Sequence, residues 1–363
     1  MYENETAENI LKRMLGNVPS NVDKREGSII YDALAPTSIE AELLYALADY
    51  FLKNTFGDTA DREYLIERAK ERGLVPYPAT YAIAKMVSEP PNITIPIGSR
   101  FSYDNVNFKV IEQIKDGEYK VECEELGSIG NVPAGKLIPI QYIAGLATAE
   151  LTEILIPGDD EEDTEDFRAR YLNSFNSQAY GGNIADYKEK VNALSGVGGA
   201  KIYPVWNGGG TVKVVIVTSE YKPPTDELID KVQTELDPVR NSGEGVGIAP
   251  IGHFVTVEGA KNSAVAISLT VAVNGELENY KEQILKVIDD YFIELNKTWA
   301  STKIDTVGEI SNKGLIIRTA QIESRILNIE GVQDINHTLL NGVDENLELG
   351  VDELAVRGEV EWR

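Results

Sequence analysis

Apolar positions change their spacing along the chain, and each change predicts a different kind of structure. From Asn4 to Leu15 they follow a short amphipathic helical pattern. Ile39, Leu43, Leu44, Leu47, Tyr50 and Phe51 then recur at helical spacing. Pro36 and Thr37 are expected to open that helix, because proline fits a first turn and threonine can cap free amides. A third helix is predicted over about Asp61 to Arg72, ending at Gly73.

From Ala79 to Ile156 the period drops to two. Runs such as Phe108-Lys109-Val110-Ile111 and Tyr119-Lys120-Val121-Glu122-Cys123 are separated by Gly, Pro and Asn turns, which predicts an antiparallel β module. Beyond Gly158 helical and alternating stretches mix. Helices are predicted at Glu165 to Ser174 and Ile184 to Ala193. A hairpin follows around Asn207–Gly210, then a helix through Leu228, Ile229, Val232 and Leu236, then a strand from His253 to Glu258. The last hundred residues repeat this style. They offer a strand at Ser263 to Val273, an amphipathic helix through Tyr280, Ile284, Val287, Ile288, Tyr291, Phe292 and Leu295, and a helix at Thr319 to Asn328. Strands around an Asn341-Gly342 turn close the chain.

The pattern implies a multidomain α+β protein: N-terminal helices (1–78), an antiparallel β module (79–157), and two mixed α/β domains (158–258 and 259–363). A chain of 363 residues exceeds one ordinary core, and 42% hydrophobic residues can fill several. Joints are expected near Ala79 and near Gly158.

Charge narrows the function. A net charge of −25 argues against nucleic acid or an anionic membrane as a direct partner, since each needs a basic surface. No apolar run approaches the roughly 18 residues of a membrane-spanning helix, and the N-terminus MYENETAENI has no signal-peptide pattern. The single cysteine, Cys123, cannot form an intramolecular disulfide, which suits a reducing cytoplasm.

Candidate chemistry is sparse. Two histidines, His253 and His337, and one cysteine lack zinc-ligand spacing. No nucleophile elbow is present. The glycines at 208–210 and at 243, 245 and 247 lie outside any phosphate-loop context. Asp344 to Gly350 misplaces the glycine of a calcium loop. No cofactor, metal or catalytic residue is therefore expected. The unusual string is GDDEEDTEDFRARY, where seven of the nine residues from Gly158 to Asp166 are acidic. Paired carboxylates could serve a glycan hydrolase, but a contiguous run does not place two groups across a substrate. The structural reading makes Gly158, Asp160, Glu162, Asp163 and Thr164 a joint and helix cap, with acids at the positive end of the helix dipole. Arg168 and Arg170 follow, and Arg170 can pair with Asp166 one turn back. On the second predicted helix, Ile39, Leu43, Leu44, Leu47 and Phe51 exceed what a lone helix pair buries. They are expected to meet partner helices or to form an internal three-helix core.

The string GDDEEDTEDFRARYLNSFNSQAYGGNIADYKEKV resembles the central motif of baseplate J-like proteins, through Gly158, Asp160, Glu162, Asp163, Arg168, Arg170, Gly182, Asn183, Asp186 and Tyr187. TADREYLIERAKERGLVPYPAT, IPIGSRF, LGSIGNVPAG, GVGGAKIYPVWNGGGTVKVVIV and GVDELAVRGEVEW are similar to further family segments, in order along nearly the whole chain. Two features depart from the pattern: Tyr180-Gly181 replaces the usual proline before the Gly-Asn pair, and the acidic run is richer. The resemblance implies a non-enzymatic wedge subunit of a contractile phage tail, R-type bacteriocin or related injection machine. It would be made in the bacterial cytoplasm and built into the ring around the hub. Implied partners are a second copy of itself, a smaller wedge protein, and sheath-initiator or hub and spike proteins, with tail-fibre signals transmitted to the sheath. The alternatives are a cell-wall glycan hydrolase and a carbohydrate-binding tail protein.

Overall fold

Ser28, not Pro36, begins the long N-terminal helix. In a computed structural model, which describes residues 2–175, 180–300, 303–304, 310–311 and 314–362, the Ser28 side chain accepts from the Tyr31 amide. Helix α2 (Ile29–Thr55) then runs straight through Pro36. The expectation that Pro36-Thr37 opens the helix is corrected. The missing proline N–H leaves the carbonyl of Asp32, four residues back, without its helical donor. Both residues are exposed, so water can serve that carbonyl. Helix α1 (Ala7–Gly16), capped by Thr6, precedes it, and α3 (Arg62–Lys70) follows.

The chain forms two compact units, Met1–Pro76 with Glu162–Ser177, and Tyr77–Glu161 with Gln178–Arg363. In the first unit α1 lies against α2, with the Tyr2 ring tilted against that of Tyr45 and the Tyr2 amide donating to Asp49. The core of this unit is small and lies elsewhere. Helix α4 (Thr164–Asn173) puts Phe167 and Tyr171 against Ala60, Leu65, Ala69 and Leu74. Gly57 is obligatory there, because a Cβ would stand 2.2 Å from the Tyr171 ring.

In the second unit, strands β1 (Tyr81–Glu89), β2 (Arg100–Tyr103), β3 (Val106–Lys115), β4 (Glu118–Leu126), β5 (Gly135–Pro139) and β6 (Thr148–Ile156) close an antiparallel barrel in the order β1-β4-β3-β2-β5-β6. The alternation read from the sequence is the barrel's inside and outside: Ala82, Ala84, Met86, Phe108, Val110, Val121 and Cys123 point inward. Closure leaves no free sheet edge. Buried Tyr119 donates its hydroxyl to the Ile93 carbonyl, so its polar tip is satisfied.

Helix α5 (Ile184–Asn192), capped by Asn183, opens the next region. Strands β7 (Val197–Pro204) and β8 (Thr211–Thr218) form the expected antiparallel hairpin. Helix α6 (Asp226–Leu236), capped by Thr225, carries the chain to β9 (Phe254–Gly259), which pairs with β8 in parallel. The outer edge of β9 is occupied by side chains of and beside α6. Gln233 bonds the Val255 carbonyl and the Val257 amide, and Asp237 accepts from the Val255 amide. Those bonds blunt an edge that would otherwise invite pairing.

Strand β10 (Lys261–Val273) is the centre of the last sheet. Helix α7 (Glu278–Lys297) follows it, then the two-residue strands β11 (Lys303–Ile304), β12 (Ile310–Ser311) and β13 (Ile316–Ile317), and α8 (Thr319–Leu327). Strand β14 (Val332–Leu340) pairs antiparallel with β10 on one side, and after the short β15 (Leu347–Glu348), β16 (Glu353–Trp362) pairs parallel on the other. The Asn341-Gly342 turn is present, both residues with positive φ, but β14 and β16 flank β10 rather than each other. Ile284, Ile288, Tyr291 and Phe292 of α7 and Ile322 and Ile326 of α8 cover the sheet.

Candidate functional site

The acidic run is divided by the partition of the chain, which falls between Glu161 and Glu162. On the barrel side Gly158 lies too close to backbone to carry a side chain. A Cβ would stand 2.6 Å from the Gly127 carbonyl oxygen and 2.8 Å from the Ala82 nitrogen. Asn131 donates to the Gly158 carbonyl and accepts from its amide, at 2.9 and 2.8 Å. Asp159 and Thr80 are tied twice over: the Thr80 amide donates to the Asp159 carbonyl at 2.8 Å, and the Asp159 amide donates to Thr80 Oγ1 at 2.9 Å. The Asp159 carboxylate also accepts from the Gly196 amide at 2.8 Å. Asp160 caps the turn at Ser128, accepting from its amide at 2.8 Å and its hydroxyl at 2.7 Å. Those two donors hold the Asp160 carboxyl below the usual carboxylate range.

Beyond the division the remaining acids serve the first unit. Asp163 is the N-cap of α4, its carboxylate accepting from the Glu165 amide at 2.8 Å. Thr164 is the first helical residue, and its hydroxyl accepts from Arg62 at 3.1 Å. Arg168 reaches back to the carbonyls of Gly57 and Ala60 at 2.5 and 2.8 Å, fixing the loop before α3 against α4. Arg170 does not pair with Asp166 as its spacing suggested. It forms a two-pronged pair with Glu162 at 2.8 and 2.6 Å and donates a further bond to the Val75 carbonyl at 2.6 Å. Glu162 stands before the helix cap, where the chain folds back over the Arg170 face. Its side chain is only 9% exposed, so it is no member of a solvated charged face.

Each predicted joint and cap residue therefore has an identified contact, and Asp159, Thr80, Asn131, Gly57 and Arg62 join them. Asp159 belonged to the acidic run that the sequence singled out, and sequence reasoning missed the other four. The Asn131 signal was available in the LGSIGNVPAG string, but the partners of the others are far away in sequence.

The second candidate surface is α2. Ile39, Leu43, Leu44, Leu47 and Phe51 are exposed along one stripe, from 46% at Leu47 to 67% at Leu44, with Tyr50 beside them. The helix buries Ser38 and Asn54 instead, and the α3–α4 core contains none of the five. An internal three-helix core built on this stripe is corrected. Helix α1 takes the other face, and α3 meets α2 near its end through the Tyr50–Tyr64 ring contact.

Ordinary catalytic groups occupy structural positions. Cys123 lies inside the barrel, where burial pushes its thiol up and away from the reactive thiolate. His253 Nδ1 and the Tyr187 hydroxyl share a 2.8 Å hydrogen bond with their rings stacked. The cavity beside them, lined by Gly182, Ile202, Pro204 and Val212, holds about 160 Å³, below the roughly 300 Å³ of an ordinary ligand site. Among the described residues no group of three His, Cys, Asp or Glu side chains is placed to hold a metal, and no helix is long and apolar enough to cross a membrane.

Three family profiles match the chain in succession: the Baseplate J-like protein barrel domain at residues 84–158, the Baseplate J-like central domain at 179–259, and the Baseplate J-like protein C-terminal domain at 264–363. The first covers most of the closed barrel, the second α5 to β9, and the third the sheet built on β10. The chain is 39% identical to YqbT of Bacillus subtilis strain 168, an uncharacterised protein, over 99% of this chain and 98% of that one. It is 36% identical to the phage-like element PBSX protein XkdT of the same strain, again over 99% and 98%. Baseplate protein gp47 of Escherichia phage Mu is 26% identical over 79% of this chain and 81% of its own. With its profile domains in order and relatives matched along nearly its full length, the chain belongs to the Baseplate J-like family.

Proposed function

We propose that the chain is a structural wedge subunit of a phage-type baseplate, building the ring around the hub and passing the contraction trigger to the sheath. Family membership and the phage Mu baseplate relative support the baseplate role. The observation that carries the wedge reading is the exposed stripe of α2. Six large apolar side chains in a row, most of them about half exposed, give a surface that folding alone leaves uncovered. Covering half of one such side chain contributes about 1 kcal/mol, so a partner helix lying along the stripe gains enough to assemble. The segments 1–78, 79–157, 158–258 and 259–363 are its working modules, with the acidic run as a joint. Its partners are a second copy and a smaller wedge protein, with sheath-initiator, hub or spike proteins beyond, and it assembles into the tail baseplate after synthesis in the bacterial cytoplasm.

The glycan-hydrolase reading loses its motivating residues. Asp159, Asp160, Glu162 and Asp163 are committed to backbone amides, hydroxyls and Arg170, which speaks against a pair of free catalytic carboxylates. The test is co-expression with the neighbouring small wedge protein, followed by light scattering. A complex containing the chain supports the proposal. A monomer that binds none of the neighbouring baseplate proteins overturns it.

A further inference from the structure

Strand β8 is buried on both faces, and its alternate residues belong to different cores. Val212, Val214 and Ile216 pack in one core with Tyr187 and Val191 of α5 and Leu228 and Val232 of α6. Val215 and Val217 share the other core with Val265 and Ile267 of β10 and Ile284 and Ile288 of α7. The nearly unbroken apolar run at 212–217 follows from this, since a strand covered on both sides needs no polar face. The passage from the central sheet to the last one is a single residue. Strand β9 ends at Gly259 and β10 begins at Lys261. Ala260 between them is 3% exposed, and its amide donates to the Ile216 carbonyl at 3.0 Å. Boundaries between independent domains ordinarily fall in exposed, flexible linkers. Yet the family profiles part here, one ending at residue 259 and the next starting at 264.

Polar groups tie the same two sheets. In the β7–β8 hairpin, Lys201 lies opposite Val215 and Tyr203 opposite Lys213. The turn before β16 brings Val351 and Asp352 onto these side chains. Lys201 donates to the Val351 carbonyl with its ammonium over the Trp299 ring. The Tyr203 hydroxyl donates to one carboxylate oxygen of Asp352, and the Lys213 ammonium lies 3.5 Å from the other. The Asp352 carbonyl accepts from the Lys261 amide at 2.9 Å, so this residue also holds the start of β10.

We infer that Asp352 latches the C-terminal sheet onto the central sheet, and that the two open and move as one cooperative body with no hinge at residues 259–261. The shared apolar core supplies attraction without direction. The Asp352 carboxylate supplies direction, because a charge-assisted bond to Tyr203 and an ion pair with Lys213 are both lost when one sheet slides on the other. A load applied to either sheet then passes to the other. This goes beyond the wedge reading: it joins two modules named separately there, and it holds whether or not any baseplate partner binds.

The experiment is native-state hydrogen exchange on the full chain, in low urea, read by mass spectrometry on peptides from β8, β10 and β16. The perturbation is Ile326→Val on α8, a buried position of the C-terminal core. It is expected to speed exchange in β10 and β16 by roughly two- to tenfold. An equal factor in β8 supports one cooperative body, and a gain confined to β10 and β16 overturns it. Ile326→Val is then combined with Asp352→Ala. A gain that no longer reaches β8 supports the latch, and an equal gain in all three strands removes Asp352 from that role. Circular dichroism shows whether each variant folds. If Asp352→Ala does not, Tyr203→Phe, which deletes one hydroxyl, takes its place with the same two outcomes.

Discussion

Lys201 is a buried charge in the second unit, and its neutralisation tests how that unit packs. It sits on β7, 2% exposed, with Nζ donating to the Val351 carbonyl and lying 4.2 Å from the centre of the Trp299 ring. Burial pulls its pKa down to about 8, with Asp352 opposing that and Lys188 adding to it. An unfolded lysine titrates near 10.4. Between about pH 8 and that value the unfolded chain binds more protons than the folded one, so stability rises with pH across this window and is lowest, and flat, below it. The separation corresponds to about 3 kcal/mol at neutral pH. Lys201→Met keeps the length of the side chain, sets sulfur over the Trp299 ring and removes the charge. It also strands the Val351 carbonyl, at about 1–2 kcal/mol. The expected net effect is a gain of about 1–2 kcal/mol at pH 7 that turns into a loss of similar size above pH 10. Urea unfolding followed by tryptophan fluorescence, at pH 7 and pH 10, measures both. A variant destabilised equally at the two pH values would refute the argument, since the buried charge would then carry no penalty.

Other outcomes follow from the same contacts. Gly57→Ala drives a methyl group into the Tyr171 ring and is expected to destabilise the first unit by about 1–3 kcal/mol, read as a lower midpoint in thermal melting. Glu162→Ala leaves the Arg170 guanidinium without its carboxylate and is expected to cost about 2–3 kcal/mol, while Asp166→Ala on the exposed side of α4 changes stability by less than about 0.5 kcal/mol; denaturant titration of the two separates the observed pairing from the i, i+4 one. Asp160 has a carboxyl held below its ordinary range, so its cap on Ser128 stabilises the fold above the unfolded carboxylate pKa. That contribution is lost as pH falls through the folded value, and the acid-unfolding curve of Asp160→Asn should lack it. Leu43→Asp with Leu47→Asp on the exposed α2 stripe should leave the monomer's melting temperature unchanged and abolish the co-expressed complex.

Alternating apolar residues were enough to mark the strands of the barrel, because inside and outside differ at every step of a β-strand. The same holds for α7, whose apolar stripe at Ile284, Ile288, Tyr291 and Phe292 is the buried one. The start of α4 was also legible, since Asp163 and the acids of the first turn meet free amides and a positive dipole end within a few residues. These are local effects, written in neighbouring residues. The beginning of α2 was misread for a related reason: Pro36 is a strong local signal, but Ser28 and a long run of helix formers outweigh it where the proline face is solvated.

What the tertiary structure alone decided is which surface meets which. Arg170 has Asp166 at helical spacing, yet binds Glu162 and Val75, because the chain before the helix cap folds back over that face. The apolar stripe of α2 is as hydrophobic as that of α7 and is nevertheless exposed, because α3 and α4 pack with each other instead. Strand β10 lies between β14 and β16, and β8 pairs in parallel with β9 across α6, pairings that no period along the chain contains. Periodicity states that a face is apolar. Its occupant is set by competition among faces far apart in sequence, and no described segment of the first unit covers the α2 stripe.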